Sequence, residues 1–168
     1  MLWKEFNGKI ITNSFISIAD SNNLSFTDGA NDLPFSVSFF MNLNPLTNST
    51  FAAPVGKTNL NLETNDEWGI YIYNNTLNLM LQDKTSGSSY LVGRYTGLVA
   101  GATYHVCFTY NGNKSVSGMK LYLNGTSVNL ASVSAGSYTG MKNGTLPVTI
   151  GCSANLGSRC SGWIDELY

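Results

Sequence analysis

Apolar and polar residues alternate with a period of two along most of the chain. The pattern is clearest at Phe35–Leu43, where every second residue from Phe35 is apolar and most of the residues between them are polar. This period is that of a β-strand with two distinct faces. Shorter stretches predict further strands at Phe6–Ile18 (one or two), Phe51–Val55, Trp68–Tyr73, Thr76–Gln82, Ser89–Val92, Thr103–Tyr110, Met119–Leu123, Thr126–Leu130, Pro147–Gly151 and Gly162–Tyr168.

Two short turn signals join neighbouring strands. Asn124-Gly125 separates two alternating stretches and is a strong hairpin signal, because a type I′ turn needs positive φ at both central residues. Asn74-Asn75 occupies the same position between two other strands. The stretch Thr103–Gly125 with its continuation is therefore predicted to form three consecutive antiparallel strands.

No stretch of useful length has the apolar spacing of an amphipathic helix. Many short strands separated by turn signals indicate an all-β fold, a two-sheet antiparallel sandwich with apolar inner faces and polar outer faces. A chain of 168 residues is large enough for one such domain, over 1–168. Pro54 cannot donate a ladder hydrogen bond, so the strand at Phe51–Val55 is expected at a sheet edge.

Charged residues make up only 11% of the chain and the net charge is −1. Without a basic surplus, nucleic acid is not an expected partner. No run reaches the roughly 20 apolar residues of a membrane helix, so no membrane insertion is expected. The N-terminus lacks the pattern of a secretory signal. We therefore expect a piece of a larger chain, or a protein released by another route, such as a virion component.

Four segments carry a resemblance to a known family. They are LPFSVSFFMNL, EWGIYIYNNTLNLMLQD, TYHVCFTYNGNKSVSGMKLYLNG and LPVTIGCSANLGSRCSGWIDELY. Their T-Y-x-G turn, K-x-Y-x-N-G hairpin and closing G-x-I-D-E strand resemble those of the laminin-G-like, concanavalin A-like jelly-roll domains. The resemblance implies a single laminin-G-like domain. Because the family's last strand usually continues beyond I-D-E, we expect a last strand that is cut short at Tyr168 or completed by a neighbour.

A calcium site is the first candidate for chemistry. Asp28, Asn31 and Asp32 lie in one short loop, and hard cations bind several oxygen ligands at once. The resemblance implies a structural Ca²⁺ near the first and last strands, which would add Asp165. The alternative is that Asp28 and Asp32 only form Asx turns and cap backbone N–H groups.

Glycan binding is the second candidate. Sugar rings stack on aromatic faces, and tyrosines on an outer sheet face or in rim loops would offer such faces. The alternative is cross-strand aromatic pairing that stabilises the sheet. The candidate ligand-binding residues are Tyr71, Tyr73, Tyr95, Tyr122 and Trp163.

Catalysis is the third and least favoured candidate. β-Glucan hydrolases resembling this fold carry two glutamates four residues apart with an aspartate between them. Glu63, Asn65 and Glu67 have the spacing but not the middle carboxylate. His105, the single histidine, alternates with core residues and is predicted to be a hydrogen-bonded structural residue.

The three cysteines give no metal motif. Cys107 is predicted to be a small buried residue. Cys152 and Cys160 flank a short loop that would allow a disulfide, with free thiols as the equal alternative.

Taken together, the sequence predicts a non-catalytic binding or adhesion module for a glycan or cell-surface polysaccharide. Its location is expected to be a virion surface, as part of a phage fibre or appendage beside other virion proteins, or the extracellular face of a surface protein. The alternative is a structural decoration domain without a ligand of its own.

Overall fold

The computed structural model describes residues 10–11, 14–43, 51–61, 65–83, 85 and 88–168. Strands of two antiparallel sheets account for most of the regular structure. Two short 3-10 turns, Asn22–Leu24 and Val116–Gly118, are the helical segments among these residues. The strands are β1 Ile10–Ile11, β2 Ile16–Ile18, β3 Phe35–Leu43, β4 Ala52–Gly56, β5 Trp68–Tyr73, β6 Thr76–Gln82, β7 Tyr90–Thr96, β8 Thr103–Tyr110, β9 Met119–Leu123, β10 Thr126–Val128, β11 Ala131–Ser132, β12 Val148–Ile150 and β13 Gly162–Asp165.

One sheet has six strands in the order β1-β13-β3-β8-β9-β10. The other has seven strands in the order β11-β7-β6-β5-β4-β12-β2. All pairings are antiparallel. This architecture confirms the predicted all-β, two-sheet antiparallel jelly-roll sandwich.

The predicted hairpins are confirmed. Strands β8, β9 and β10 are consecutive neighbours, and Asn124 and Gly125 have φ of 51° and 78°. Asn74 and Asn75 join β5 to β6 with φ of 48° and 59°. Both turns have the positive φ pair of a type I′ turn, whose twist matches that of the flanking strands.

The edge prediction for the Pro54 strand is wrong. β4 lies inside the seven-stranded sheet, between β5 and β12. The register to β5 shifts between Ala52 and Val55, so Pro54 falls in an irregularity of the ladder and its missing N–H interrupts no regular pairing. A β-bulge therefore allows proline in an interior strand here.

The inner faces of the two sheets enclose the main core, as the alternation predicted. Phe39, Met41, Val106 and Phe108 come from the six-stranded sheet, and their side chains are at most 1% exposed. Ile70, Ile72, Leu77, Leu79 and Leu81 come from the opposite sheet and are 0% exposed.

The prediction of two polar outer faces is wrong for the seven-stranded sheet. Tyr71, Met80 and Val92 point outward from this sheet and form a second buried cluster. Leu60 and Val133 come from the flanking segments and pack against it. These segments shield the centre of the outer face from water, and an apolar face is stable there for that reason.

A buried lysine lies at the point where the chain leaves β4. Lys57 is 0% exposed, and its Nζ lies 2.7 Å from Glu67 Oε1 and 2.6 Å from Asp20 Oδ1. Nζ also donates to Ser25 Oγ at 2.8 Å. Glu67 is 0% exposed as well, and its Oε1 accepts from the Gly144 backbone N–H at 2.8 Å. The ion pair thus joins four separate stretches of the chain beneath the surface.

We predict that Lys57→Met lowers the free energy of unfolding by about 3–5 kcal/mol, because it leaves the Glu67 carboxylate buried without its cation. The double variant Lys57→Met/Glu67→Gln should recover at least about 1 kcal/mol of this loss, since it removes the uncompensated charge. Urea denaturation of the wild type, both single variants and the double variant measures the coupling. Strictly additive losses would contradict the account.

Candidate functional site

A groove runs across the outward face of the seven-stranded sheet. Its volume is about 340 Å³. Its floor comes from alternate residues of β5, β6 and β7, and its walls come from flanking segments. The lining residues are Phe51, Leu60, Asn61, Tyr71, Tyr73, Met80, Tyr90, Val92, Arg94 and Val133.

The register of three strands sets the floor. Tyr71 of β5 pairs with Asn78 of β6, which pairs with Arg94 of β7. Because side chains opposite each other in a sheet lie on the same face, the three side chains form one row. The next pair on the same face lies two residues along the strands, where Met80 pairs with Val92. These two apolar side chains continue the floor of the groove.

One wall depends on two glycines. A Cβ on Gly56 would lie 2.7 Å from the Cα of Gly69, and a Cβ on Gly69 would collide with the side-chain methyl of Thr58. The missing side chains let residues 57–61 fold back over the outer face of the sheet. The Asp66 carboxylate holds this segment by accepting from the Asn59 N–H at 2.6 Å. Leu60 and Asn61 consequently line the groove.

An aromatic cluster forms another part of the lining. The ring of Phe51 is stacked on that of Tyr73, with centroids 4.7 Å apart and planes 21° apart, and meets Tyr71 edge-on at 5.5 Å. Phe51 is 40% exposed, and Tyr71 is 7% exposed. The groove therefore has a buried aromatic floor with a partly exposed aromatic rim.

A single cation lies in this apolar setting. Arg94 donates from Nε to Asn78 Oδ1 at 2.9 Å, and Asn78 is itself anchored to the Tyr71 carbonyl oxygen and to Thr76. Burial raises the pKa of Tyr71, and the charge and hydrogen bond of Arg94 act in the opposite direction. The hydroxyl of Tyr71 thus stays protonated at neutral pH beside a fixed guanidinium.

The structure brings two of the five predicted ligand-binding residues together, Tyr71 and Tyr73. Tyr95 was expected on an outer face or rim, but it packs against the main core, because in β7 it alternates with the outward Arg94. Tyr122 and Trp163 alternate with buried residues of β9 and β13 and so lie on the outer face of the other sheet. These two residues belong to a different surface.

Sequence reasoning missed Phe51, Tyr90 and Arg94. The predicted strand ended at Val92, whereas β7 continues to Thr96, which places Arg94 in phase with Tyr90 and Val92. The period of two, extended through Gly93, would have identified Arg94 as an outward residue.

Asp28 and Asn31 form a local turn. Asp28 Oδ1 accepts from the backbone N–H groups of Ala30 and Asn31, at 2.8 and 2.6 Å. These two N–H groups lower the pKa of the exposed Asp28 carboxyl. This arrangement is the Asx turn that was the alternative to a calcium site.

Asp32 connects distant parts of the chain. It is 5% exposed, and its Oδ2 accepts from the hydroxyls of Tyr110 and Tyr138, both at 2.8 Å. Its Oδ1 accepts from the Met141 N–H at 2.7 Å. Burial and the Asp32 carboxylate raise the pKa of both tyrosines, so their hydroxyls remain donors.

The aspartates predicted to bind calcium accept hydrogen bonds from other groups of the protein. Both oxygens of Asp32 already accept hydrogen bonds, and Asp165 Oδ1 accepts from the Glu166 N–H at 2.9 Å. Within the described ranges, no three His, Cys, Asp or Glu side chains are grouped to hold a metal ion. Calcium binding itself stays a prediction.

Two of the three residues of the catalytic alternative, Asn65 and Glu67, lie in the described part of the chain. Glu67 is buried in its ion pair with Lys57, and Asn65 accepts from Lys142 Nζ at 3.1 Å. Glu63 lies outside the described residues. His105 Nε2 lies 2.8 Å from Ser38 Oγ, which confirms the predicted hydrogen-bonded histidine.

The cysteines differ from the prediction at one position. Cys107 is partly exposed rather than buried, because Val106 and Phe108 occupy the inner face of β8. Cys152 and Cys160 are both buried and are free thiols in the structure.

A two-sheet antiparallel sandwich with this strand order defines a jelly-roll domain. A family model of the concanavalin A-like lectin/glucanases superfamily matches residues 12–168. The chain therefore belongs to this superfamily, which confirms the resemblance found in the sequence. No curated protein matches the chain in sequence.

Solved structures with the same fold include receptor-binding domains of botulinum neurotoxins. That of the C/D mosaic serotype is 20% identical with a TM-score of 0.63, and the match covers 95% of this chain and 37% of that chain. The binding domain of neurotoxin DC, in complex with rat synaptotagmin II, is 18% identical with a TM-score of 0.60, covering 92% and 35%. The serotype D ligand binding domain, in complex with N-acetylneuraminic acid, is 20% identical with a TM-score of 0.60, covering 95% and 37%.

The chain thus spans little more than a third of these neurotoxin domains. At such identities the similarity shows the fold alone. Of the helices in the described residues, none is long and apolar enough to cross a membrane.

We predict that Asp32→Ala lowers the free energy of unfolding by about 2–4 kcal/mol, because it leaves the hydroxyls of Tyr110 and Tyr138 and the Met141 N–H without their charged acceptor. Asp28→Ala is the matched control and should cost much less stability than Asp32→Ala, since the Asp28 carboxylate is exposed. Melting curves with calcium and with EDTA test the calcium prediction in the same experiment. A midpoint that falls in EDTA for the wild type but not for Asp32→Ala would contradict a purely structural Asp32.

The Asp83 carboxyl leads to a prediction about the stability of the fold at low pH. Burial acts to raise its pKa, but hydrogen bonds from Thr85 and Thr139 outweigh it and hold the pKa at about 2, below the ordinary value of 3.8. A carboxyl with a depressed pKa stabilises the fold above its unfolded pKa, and this contribution disappears as the pH falls through the folded value.

Between about pH 4 and pH 2, stability should therefore fall by up to about 2 kcal/mol on account of Asp83. Asp83→Asn removes the titrating group and should flatten the pH dependence in this window. Urea unfolding of both proteins at several pH values measures it. Parallel curves for the two proteins would show that Asp83 does not contribute.

Proposed function

We propose that this protein is a non-catalytic binding module that holds a glycan in the groove between Phe51 and Arg94. The observation that carries the proposal is the grouping of aromatic side chains, Phe51, Tyr71, Tyr73 and Tyr90, around one open cavity. Sugar rings pack their C–H faces on aromatic rings, while hydroxyls bond to polar groups at the edge of the site.

The size and polarity of the groove support this proposal. A volume of about 340 Å³ is at the lower end of small-molecule sites, enough for one or two sugar rings. Polar groups are also present in the lining, which includes Asn61, Arg94 and the side chains of three tyrosines. A groove of this kind offers both stacking surfaces and hydrogen bonds to a saccharide.

Similar folds supply a second line of support. The neurotoxin domains are described as receptor-binding or ligand-binding domains, and the serotype D domain has been solved with N-acetylneuraminic acid. Binding without catalysis is proposed here because Glu67, one of the two candidate glutamates, is fully buried in an ion pair and is not among the residues that line the groove.

A virion surface or an extracellular location, with other virion proteins as neighbours, remains part of the proposal. The low share of charged residues, 11%, with abundant Asn, Ser, Thr and Gly supports such a setting. A decoration domain without a ligand is the alternative, and binding data decide between the two.

We predict that Tyr73→Ala weakens glycan binding roughly tenfold or more, because it removes a stacking surface at the rim. Tyr122→Ala is the matched control, since it removes the same side chain from the outer face of the other sheet. A glycan array finds the ligand, and titration calorimetry with the best-bound glycan measures both variants. Equal effects of the two substitutions, or no binding of the wild type to any glycan, would contradict the proposal.

A further inference from the structure

Arg94 is the one charged residue among the described residues that line the groove. The other nine are aromatic, aliphatic or, at Asn61, an amide. The described lining is therefore apolar with a single fixed positive charge.

The guanidinium is positioned by neutral groups. Its Nε donates to Asn78 Oδ1 at 2.9 Å, and the hydroxyl of Tyr71 lies beside it as a second neutral acceptor. The two ion pairs among the described residues both involve Lys57. Within the described residues, Arg94 therefore has no carboxylate that neutralises its charge. An arginine has five N–H donors, and the Nη groups of Arg94 retain donors after the bond from Nε to Asn78.

Position and surroundings favour an anionic ligand group. Arg94 is partly buried on a face where Met80 and Val92 are each only 2% exposed, and a charge pair in such a setting is screened less than one in water. The planar fork of a guanidinium matches the two oxygens of a carboxylate. Asn78 has three further hydrogen bonds of its own that fix the orientation of this fork.

We infer that the groove selects saccharides that carry a carboxylate, with the carboxylate bound by Arg94 and the sugar ring stacked on the Phe51–Tyr73 rim. This inference rests on the proposed function and adds the ligand class and the residue that determines specificity. Arg94 is a binding residue, and Asn78 is its positioning residue.

The test uses the whole chain and a glycan array in which each carboxylate-bearing glycan is printed beside its carboxyl-reduced partner, where –CH₂OH replaces –COO⁻. The wild type should bind the acidic member at least 10-fold more tightly, and added salt should reduce this preference. Equal binding of both members would overturn the inference and leave the proposed function standing. Absence of binding to every glycan would overturn both.

Substitutions then test whether Arg94 causes the preference for the acidic glycan. Arg94→Gln should weaken the binding of the acidic member roughly 10- to 100-fold and abolish its preference over the reduced member, and an unchanged melting temperature would show that the fold is intact. Arg94→Lys keeps the charge but not the planar fork, so its affinity for the acidic member should lie between those of the wild type and Arg94→Gln. Lys120→Gln removes one positive charge from the exposed outer face of β9 and should have no effect. An acid preference that survives in Arg94→Gln would overturn the role of Arg94.

Discussion

The buried ion pair between Lys57 and Glu67 is the constraint on which the groove depends. The two residues lie at the two ends of the segment that connects β4 to β5, and they are also joined through the backbone, where the Glu67 N–H donates to the Lys57 carbonyl at 2.9 Å. Their side-chain contact at 2.7 Å excludes water, so the segment between them starts and ends at fixed points. Leu60 and Asn61 are placed against the outer face of the sheet as a result.

The outer face of the seven-stranded sheet carries a cluster of apolar side chains, and the flanking segments that cover this cluster explain why it is stable. Leu60 covers the Tyr71, Met80 and Val92 cluster from one side, and Val133 covers it from the other. The space left between these covers is the groove. The covered cluster thus forms the floor of the groove, and the stacking surface of the proposed function lies at its rim, on Phe51 and Tyr73.

The strands and hairpins could be predicted from the sequence because local periodicity and short turn motifs determine them. Alternation located β3, β5 and β6, and the Asn-Gly and Asn-Asn turns located the hairpins. Contacts between distant residues were not accessible in this way: Asp32 looks like a loop ligand, but its partner Met141 is 109 residues away. Pro54 was misplaced because a bulge depends on the neighbouring strands, and Arg94 was missed because the strand was ended too early. Tyr71 and Tyr73 were found because their outward phase follows from alternation alone.

The position of the bound glycan is the most direct test of the central claim. Backbone amide chemical shifts, recorded by NMR while the best-bound glycan is titrated into the whole chain, locate it without any substitution. The account predicts that the shifts concentrate on β5, β6 and β7 and on residues 58–61, with Tyr73 and Arg94 among the largest. Shifts confined to the outer face of the six-stranded sheet, around Tyr122 and Trp163, would contradict it.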